Sequence, residues 1–311
     1  MAVKEISFSS FNGRDTIKAW IYTPIHKPRA VVQVVHGFGE HSRRYLHMIG
    51  KMQEAGFVVC ADDHVAHGKT AVDNNTWGDS GAKGYMTTIE DENTLRKMIT
   101  DEYPDLPYFM FGHSWGSMIA RGYAAHYGES LTGLILCGVV SQFSGAEILG
   151  KKDDMKKMAE AGRGGEDGSS FMAVAFADMT ARYENPNSDF DWLATDPSVV
   201  VDYTADPFNN LSHPYTVQFF YDLIELYKYI KADDWASRVP TELPVYLIAG
   251  DQDPVCNYGE GLYHVANMLS TSGHKRVVTH CYTGKRHEIH NEPTIRDEVE
   301  KGIIDFIDCM I

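Results

Sequence analysis

Short β-rich runs alternate with helix-like segments along most of the 311-residue chain. This order is typical of a mostly parallel sheet that is covered by helices on both faces. An opening hairpin through Asn12-Gly13 and six further apolar runs predict eight strands. The six runs are AVVQVV (30–35), FVVCAD (57–62), PYFMF (107–111), LTGLIL (131–136), VYLIAG (245–250) and RVVTHCY (276–282). Helices are predicted near 44–55, 88–100, 115–127, 258–270 and 293–308.

The alternation stops between two consecutive predicted strands, from about Ser141 to Arg238. An interruption of this length is usually a separate covering element. We therefore expect an α/β core made of residues 1–140 and 239–311, into which residues 141–238 are inserted as a helical cap. The cap contains aromatic side chains that could dock on a lipid surface in transient contacts or be buried over a site, and we favour burial. These are Phe171, Phe176, Phe219 and Phe220.

Charge and hydropathy limit the partners of the chain. Its formal net charge of −15 opposes binding to nucleic acid or to an anionic membrane. A small, neutral or weakly polar substrate fits this charge better. The N-terminal MAVKEISFSS lacks the apolar core of a secretory signal, and the longest apolar stretch, LTGLILCGVV, is too short to span a bilayer. We expect a cytoplasmic protein, whose oligomeric state the sequence leaves open.

The sequence GHSWG places Ser114 between Gly112 and Gly116. The apolar run PYFMF precedes this motif and a helix-like segment follows it, which is the strand–turn–helix setting of a nucleophilic serine. The two glycines would allow neighbouring elements to approach the strained turn closely. The alternative is a serine in an ordinary glycine-rich turn. The context favours Ser114 as a catalytic nucleophile.

A nucleophilic serine needs a base and an orienting acid. His287 directly follows the last predicted strand, where a loop at the sheet edge can reach the serine, and His290 is the rival base. Asp253 and Asp251 both follow the strand VYLIAG, and either could instead cap a turn. The chain order of serine, acid and histidine is that of α/β-hydrolases.

Two backbone amides are needed to stabilise an oxyanion. The sequence HGFG, which contains His36, Gly37 and Phe38, follows the strand AVVQVV, so the Phe38 amide can face the serine. Trp115, the residue after the serine, supplies the second amide. A flexible glycine loop without a catalytic role is the alternative interpretation of HGFG.

We expect no metal and no cofactor. The histidine clusters DHVAHG (63–68) and HEIH (287–290) differ from the H-E-x-x-H pattern, and neither is accompanied by cysteines or carboxylates at zinc-site spacing. The chain also lacks the G-x-G-x-x-G and Walker sequences that hold nucleotides.

Four segments together resemble the monoacylglycerol lipase and lysophospholipase branch of the α/β-hydrolases, which is related to the serine aminopeptidases. They are HGFGEHSRRY (36–45), GHSWGSM (112–118), GDQDPV (250–255) and GKRHEIHNE (284–292). The resemblance implies an α/β-hydrolase fold with a lid after the sixth strand, Asp253 as the acid and His287 as the base. It also implies that the Phe38 and Trp115 amides hold the oxyanion. The segment DDHVAHGKT (62–70) departs from the family pattern, because it lacks the usual arginine.

The sequence therefore predicts a serine carboxylic-ester hydrolase that acts on small amphiphilic esters, such as monoacylglycerols or lysophospholipids. An aminopeptidase or a short-chain or aryl esterase could use the same scaffold, because a fold does not determine the substrate. The acidic residues of the cap sequences GGED and DFDW could form a pocket for the free amine of an aminopeptidase substrate, so this alternative stays open. A binding protein without catalytic activity is the alternative from a different functional class. An intact triad disfavours this alternative.

Overall fold

The computed structural model describes residues 2–210 and 213–311, and its strands form an eight-stranded sheet. The strands are β1 (Ala2–Ser9), β2 (Thr16–Thr23), β3 (Ala30–Val35), β4 (Phe57–Asp63), β5 (Tyr108–His113), β6 (Gly133–Cys137), β7 (Val245–Gly250) and β8 (Val277–Tyr282). Their spatial order is β1-β2-β4-β3-β5-β6-β7-β8. Strand β2 runs antiparallel to β1 and β4, and the remaining neighbours are parallel. The predicted fold class is confirmed.

Helices cover both faces of the sheet. Within the described residues they are α1 (Leu46–Glu54), α2 (Gly68–Asn74), α3 (Met86–Glu102), α4 (Trp115–Tyr127), α5 (Ser144–Gly150), α6 (Asp154–Glu160), α7 (Ser169–Ala175), α8 (Pro197–Ala205), α9 (Val217–Lys231), α10 (Glu260–Thr271) and α11 (Arg296–Asp308). Successive side chains of a strand point to opposite faces. Thus Phe109 and Phe111 pack with α1 and α11, whereas Met110 packs with α4 and α10.

The predicted strands and core helices agree with the structure to within a few residues. The opening hairpin is also present, but residues 10–15 connect its strands instead of a two-residue turn, and Gly13 in this loop has a positive φ of 74°. Helix α2 was not predicted. It is short and begins at a glycine, so its sequence carries little helix propensity. Its first turn is held from outside, since the Lys69 amide donates to Asp63 Oδ2 (2.6 Å) and Thr70 Oγ1 donates to Asp63 O (2.5 Å).

Five helices, α5 to α9, lie between β6 and β7, within residues 141–238. The longest of them, α9, packs on core helix α4. Phe219 and Phe220 of α9 are fully buried, which confirms our preference for burial at these two positions. Phe171 and Phe176 are half-buried. Every helix in the described part of the chain is too short or too polar to cross a bilayer.

A single buried arginine of α4 holds the last core residue before the inserted segment and the last turn of α9 within the segment. Arg121 Nη1 donates to the carbonyl oxygen of Val140 (3.0 Å), and Nη2 donates to that of Ile230 (2.7 Å). Its guanidinium lies 4.3 Å from the Trp235 ring centroid, and Trp235 Nε1 donates to Arg121 O (3.1 Å). Burial lowers the pKa of Arg121 to about 9. The chain just before the segment and the last helix of the segment are therefore tied to the same point of the core.

Candidate active site

Ser114 lies at the sharp turn between β5 and α4. Its backbone angles, φ 56° and ψ −122°, are strained for a residue with a side chain. The Ser114 amide donates to Cys137 O (3.0 Å), which fixes the turn against β6. A Cβ atom on Gly116 would collide with Val35 O, and one on Gly112 would collide with Gly116 O. The two flanking glycines are thus required by close backbone packing, as the motif predicted.

Asp253 and His287 come together from the loops that follow β7 and β8. His287 Nδ1 lies 2.8 Å from Asp253 Oδ2, and both side chains are buried. The other carboxylate oxygen of Asp253 accepts from the Val255 amide (2.9 Å), so the acid cannot rotate freely. His287 Nε2 is buried and has no hydrogen-bond partner among the described residues. This nitrogen is therefore available to accept a proton.

The rival residues have other partners. Asp251 Oδ1 accepts from the Gly284 amide (2.7 Å) and holds the loop after β8. His290 stacks on the Tyr45 ring with centroids 4.9 Å apart, and its Nδ1 lies 3.8 Å from Cys137 Sγ. The structure therefore pairs His287 with Asp253 and leaves His290 and Asp251 in structural contacts.

The predicted oxyanion loop runs close to the serine. A Cβ atom added to Gly37 would lie 3.0 Å from Ser114 Cβ, so only glycine allows this approach. The backbone amides of Phe38 and Trp115 donate no hydrogen bond to any described residue. Their role as oxyanion donors stays a prediction.

His36 supports this loop through both ring nitrogens. Its Nδ1 donates to Gly37 O (2.8 Å), and its Nε2 accepts from the His64 amide (3.0 Å). These bonds require the neutral ring, and burial with the nearby His64 and His67 lowers the pKa of His36 well below its ordinary value. His67 lies in the segment that departs from the family pattern, and its Nε2 lies 3.1 Å from Tyr215 Oη of the inserted segment.

A buried ionic network that we did not predict joins the oxyanion loop to the histidine loop. Glu40 Oε1 accepts from the Gly37 amide and from Tyr45 Oη, each at 2.6 Å. Arg44 then bridges Glu40 (3.2 Å) and Glu288 (2.6 Å). Burial opposes the charge on Glu40, but His113 and Arg44 outweigh it and hold the pKa of this carboxyl well below its ordinary value. The network keeps two loops of the site at a fixed separation.

Some side chains of metal-ligating types lie close together in three groups. In each group the ligand atoms are within 4.8 Å of one another. The groups are His113, Cys137 and His290; Asp62, His64 and Glu92; and His47, Asp297 and Glu300. The two histidines of HEIH thus separate, because His290 joins one of these groups and His287 pairs with Asp253. The absence of a metal cofactor stays a prediction.

Ser114 lines an apolar cavity. The cavity is lined by Phe38, Ser114, Trp115, Met118, Val140, Phe143, Ala146, Ala175, Phe176, Trp192, Phe220, Leu223, Ile224 and Val255. Trp192 of the inserted segment also lies against the base, with its ring centroid 5.1 Å from that of His287. None of the lining residues carries a charge, so the space beside the serine suits a hydrocarbon group.

Comparisons with known proteins agree with this geometry. A family model described as "Serine aminopeptidase, S33" matches residues 26–294. A carboxyl esterase from Bacillus coagulans, solved in complex with glycerol, is 56% identical, covers 100% of this chain and 99% of its own, and superimposes with a TM-score of 0.96. A structure described as the open form of a lipase is 41% identical over 99% of both chains, with a TM-score of 0.94.

A monoacylglycerol lipase from Mycolicibacterium smegmatis is 26% identical, and the alignment covers 91% of each protein. These matches confirm the resemblance that the four sequence segments indicated, and they support a hydrolase of the esterase and monoacylglycerol lipase type. The family model spans most of the chain, and the sheet order and the turn at Ser114 agree with it. The chain therefore belongs to the serine aminopeptidase, S33 family and is an α/β-hydrolase.

Proposed function

We propose that the protein is a serine carboxylic-ester hydrolase that cleaves monoacylglycerol-like or lysophospholipid esters through an acyl-enzyme on Ser114. The observation that carries this proposal is the position of Ser114, which lies at a strained turn and opens into an uncharged, apolar cavity. The relatives described as a carboxyl esterase and a monoacylglycerol lipase support the same class of substrate.

Each group of the site has a role in the proposed reaction. Ser114 Oγ attacks the ester carbonyl while His287 Nε2 takes its proton, and Asp253 holds the tautomer and stabilises the imidazolium. The amides of Phe38 and Trp115 donate to the oxyanion. His287 returns the proton to the leaving alcohol, and a water molecule then releases the acid by the same steps. The acyl chain occupies the apolar cavity.

The inserted segment 141–238 is proposed to act as a cap over the core formed by residues 1–140 and 239–311. Support comes from Phe176, Trp192 and Phe220, which belong to the segment and line the cavity at Ser114. A substrate must therefore pass between the segment and the core. Transient contact with a lipid surface through the half-buried Phe171 and Phe176 stays the alternative to burial.

An aminopeptidase would need a carboxylate that binds the free amine of its substrate. The acidic residues that kept this alternative open are engaged elsewhere, since Glu166 pairs with Arg163 (2.7 Å) and Asp191 accepts from Ser188 Oγ (2.8 Å). Of the acidic residues in these segments, Asp189 lines a neighbouring cavity whose wall does not include Ser114. The uncharged wall at Ser114 favours an ester with an apolar acyl group.

The purified protein should be tested against p-nitrophenyl esters and monoacylglycerols of increasing chain length, with aminoacyl p-nitroanilides in parallel. We expect cleavage of the esters, and turnover of medium or long acyl chains would identify a lipase-like enzyme. Cleavage of short esters alone would identify a short-chain esterase. Cleavage of the anilides without the esters would refute the proposal in favour of an aminopeptidase, and inactivity on both would favour a binding protein.

The pH profile of the reaction follows from the His287 environment. Burial disfavours the imidazolium, but the charge of Asp253 and its hydrogen bond outweigh burial and raise the pKa of His287. Because the neutral ring is the base, kcat/KM should rise with pH and reach half its plateau above about 6.5, the ordinary histidine value. Initial rates across the acid limb measure this midpoint. A midpoint below the ordinary value would contradict the assignment of His287 as the base.

A further inference from the structure

A second, larger cavity adjoins the cavity at Ser114. The two cavities share three lining residues, Phe38, Phe176 and Trp192, whereas Ser114 lines only the first. The second cavity also includes the polar side chains of Thr180 and Asp189 in its wall. The boundary between an apolar space and a more polar one is therefore made of three aromatic residues.

At this boundary the Phe176 ring contacts each of the other two rings. The Phe176 ring stacks on the Phe38 ring with centroids 5.4 Å apart and planes inclined by 22°. Phe176 also lies 6.1 Å from the Trp192 ring. Phe38 belongs to the core loop after β3, whereas Phe176 follows α7 in the inserted segment. Removing the Phe176 ring would leave the two cavities in open connection.

Of the three residues, Phe176 is the one without a second task at the site. Phe38 supplies a proposed oxyanion amide, and its ring packs on Tyr215 with centroids 4.5 Å apart. Trp192 lies against His287, and its carbonyl oxygen accepts from the His287 amide (3.3 Å). Phe176 is half-buried, and its ring neighbours are the aromatic rings of Phe38, Phe143 and Trp192.

We propose that Phe176 determines which alcohols the enzyme accepts, by separating the cavity that holds the acyl chain from the cavity that receives the alcohol. This inference rests on the proposed ester hydrolase function. With the acyl chain in the apolar cavity, a bulky alcohol must extend past the Phe38–Phe176 stack. A small alcohol fits without displacing it. Displacing the Phe176 ring breaks its aromatic contacts. Esters of bulky alcohols are therefore disfavoured as substrates.

The test is the ratio of kcat/KM for two octanoate esters, one of 4-phenylbenzyl alcohol and one of ethanol. Phe176→Ala should raise this ratio by about tenfold, because the aromatic stack no longer has to be broken. Phe176→Leu, which keeps an apolar side chain, should give an intermediate ratio. Phe171→Ala is the matched control, since Phe171 of α7 is also a half-buried phenylalanine but lines neither cavity.

The outcomes separate this inference from the function on which it rests. A wild-type protein that hydrolyses neither ester refutes the proposed function and the role of Phe176 with it. Hydrolysis by the wild-type protein with the same ratio in Phe176→Ala and Phe176→Leu refutes only the role of Phe176. An equal rise of the ratio in Phe171→Ala also overturns it, because a loosened inserted segment would then explain the change. If Phe176→Ala fails to fold, the ratio measured for Phe176→Leu decides.

Discussion

Replacing Ser114 by alanine should lower kcat for ester hydrolysis by about 10⁶-fold, the size of effect expected when a triad enzyme loses its nucleophile. The reason is that no acyl-enzyme can form. The residual rate would come from the free amides of Phe38 and Trp115, which can still polarise a bound ester. The measurement is the rate of ester cleavage by the variant, with circular dichroism to verify its fold.

The matched control is Ser117→Ala in α4, the helix that follows Ser114. Ser117 Oγ accepts from the Val140 amide (3.2 Å) and does not line the cavity. Its loss should cost stability of about 1 kcal/mol, the usual contribution of one buried hydrogen bond, without removing activity. If Ser114→Ala retained a rate similar to that of Ser117→Ala, the acyl-enzyme mechanism would be refuted.

Replacing Asp253 by asparagine should lower kcat by about 10⁴-fold. The carboxylate accepts the proton on His287 Nδ1 at 2.8 Å, whereas an asparagine amide can donate to that nitrogen and stabilise the other tautomer. In that tautomer Nε2 carries a proton and cannot take one from Ser114. The measurement is kcat for a fixed ester as a function of pH.

Asp251→Asn provides the control for the neighbouring aspartate. Asp251 accepts from the Gly284 amide, and an asparagine oxygen can accept the same bond. We expect kcat to change by less than about threefold, since a surface hydrogen bond that is kept contributes little to the barrier. A large loss of kcat in Asp251→Asn together with a small loss in Asp253→Asn would show that Asp251, and not Asp253, is the acid that orients the histidine.

The elements that the sequence predicted well are those with a strong local pattern. Strands β3 and β7 are continuous apolar runs with the predicted bounds, and helix α4 follows directly from the glycine-flanked serine. Helix α2 escaped prediction because its stability comes from bonds to Asp63 rather than from its own residues. Local propensity carries no information about such tertiary contacts.

The same distinction between local sequence pattern and tertiary contact applies to the residues of the site. We predicted Ser114, Asp253 and His287 because each lies in the turn or loop after an apolar strand, and the structure pairs Asp253 with His287. The Glu40–Arg44–Glu288 network was not predicted, although Glu40 and Arg44 lie in the quoted string HGFGEHSRRY. Arg44 and Glu288 are 244 residues apart in the sequence, and only the folded sheet shows that their loops meet. Buried charges of this kind need a partner. The charged residues of HGFGEHSRRY, which follows an apolar run, were therefore the signal in the sequence for a buried ionic network.

The attachment of the inserted segment to Arg121 bears on how this enzyme can diversify. Because Val140 and Ile230 are held by one guanidinium, the chain between these two residues begins and ends at a single point of the core. Loop-closure entropy grows only slowly with length, so chain segments of quite different size can be joined at such a point at little cost in free energy. We therefore expect the length and sequence between Val140 and Ile230 to tolerate change while Arg121 and Trp235 keep their contact.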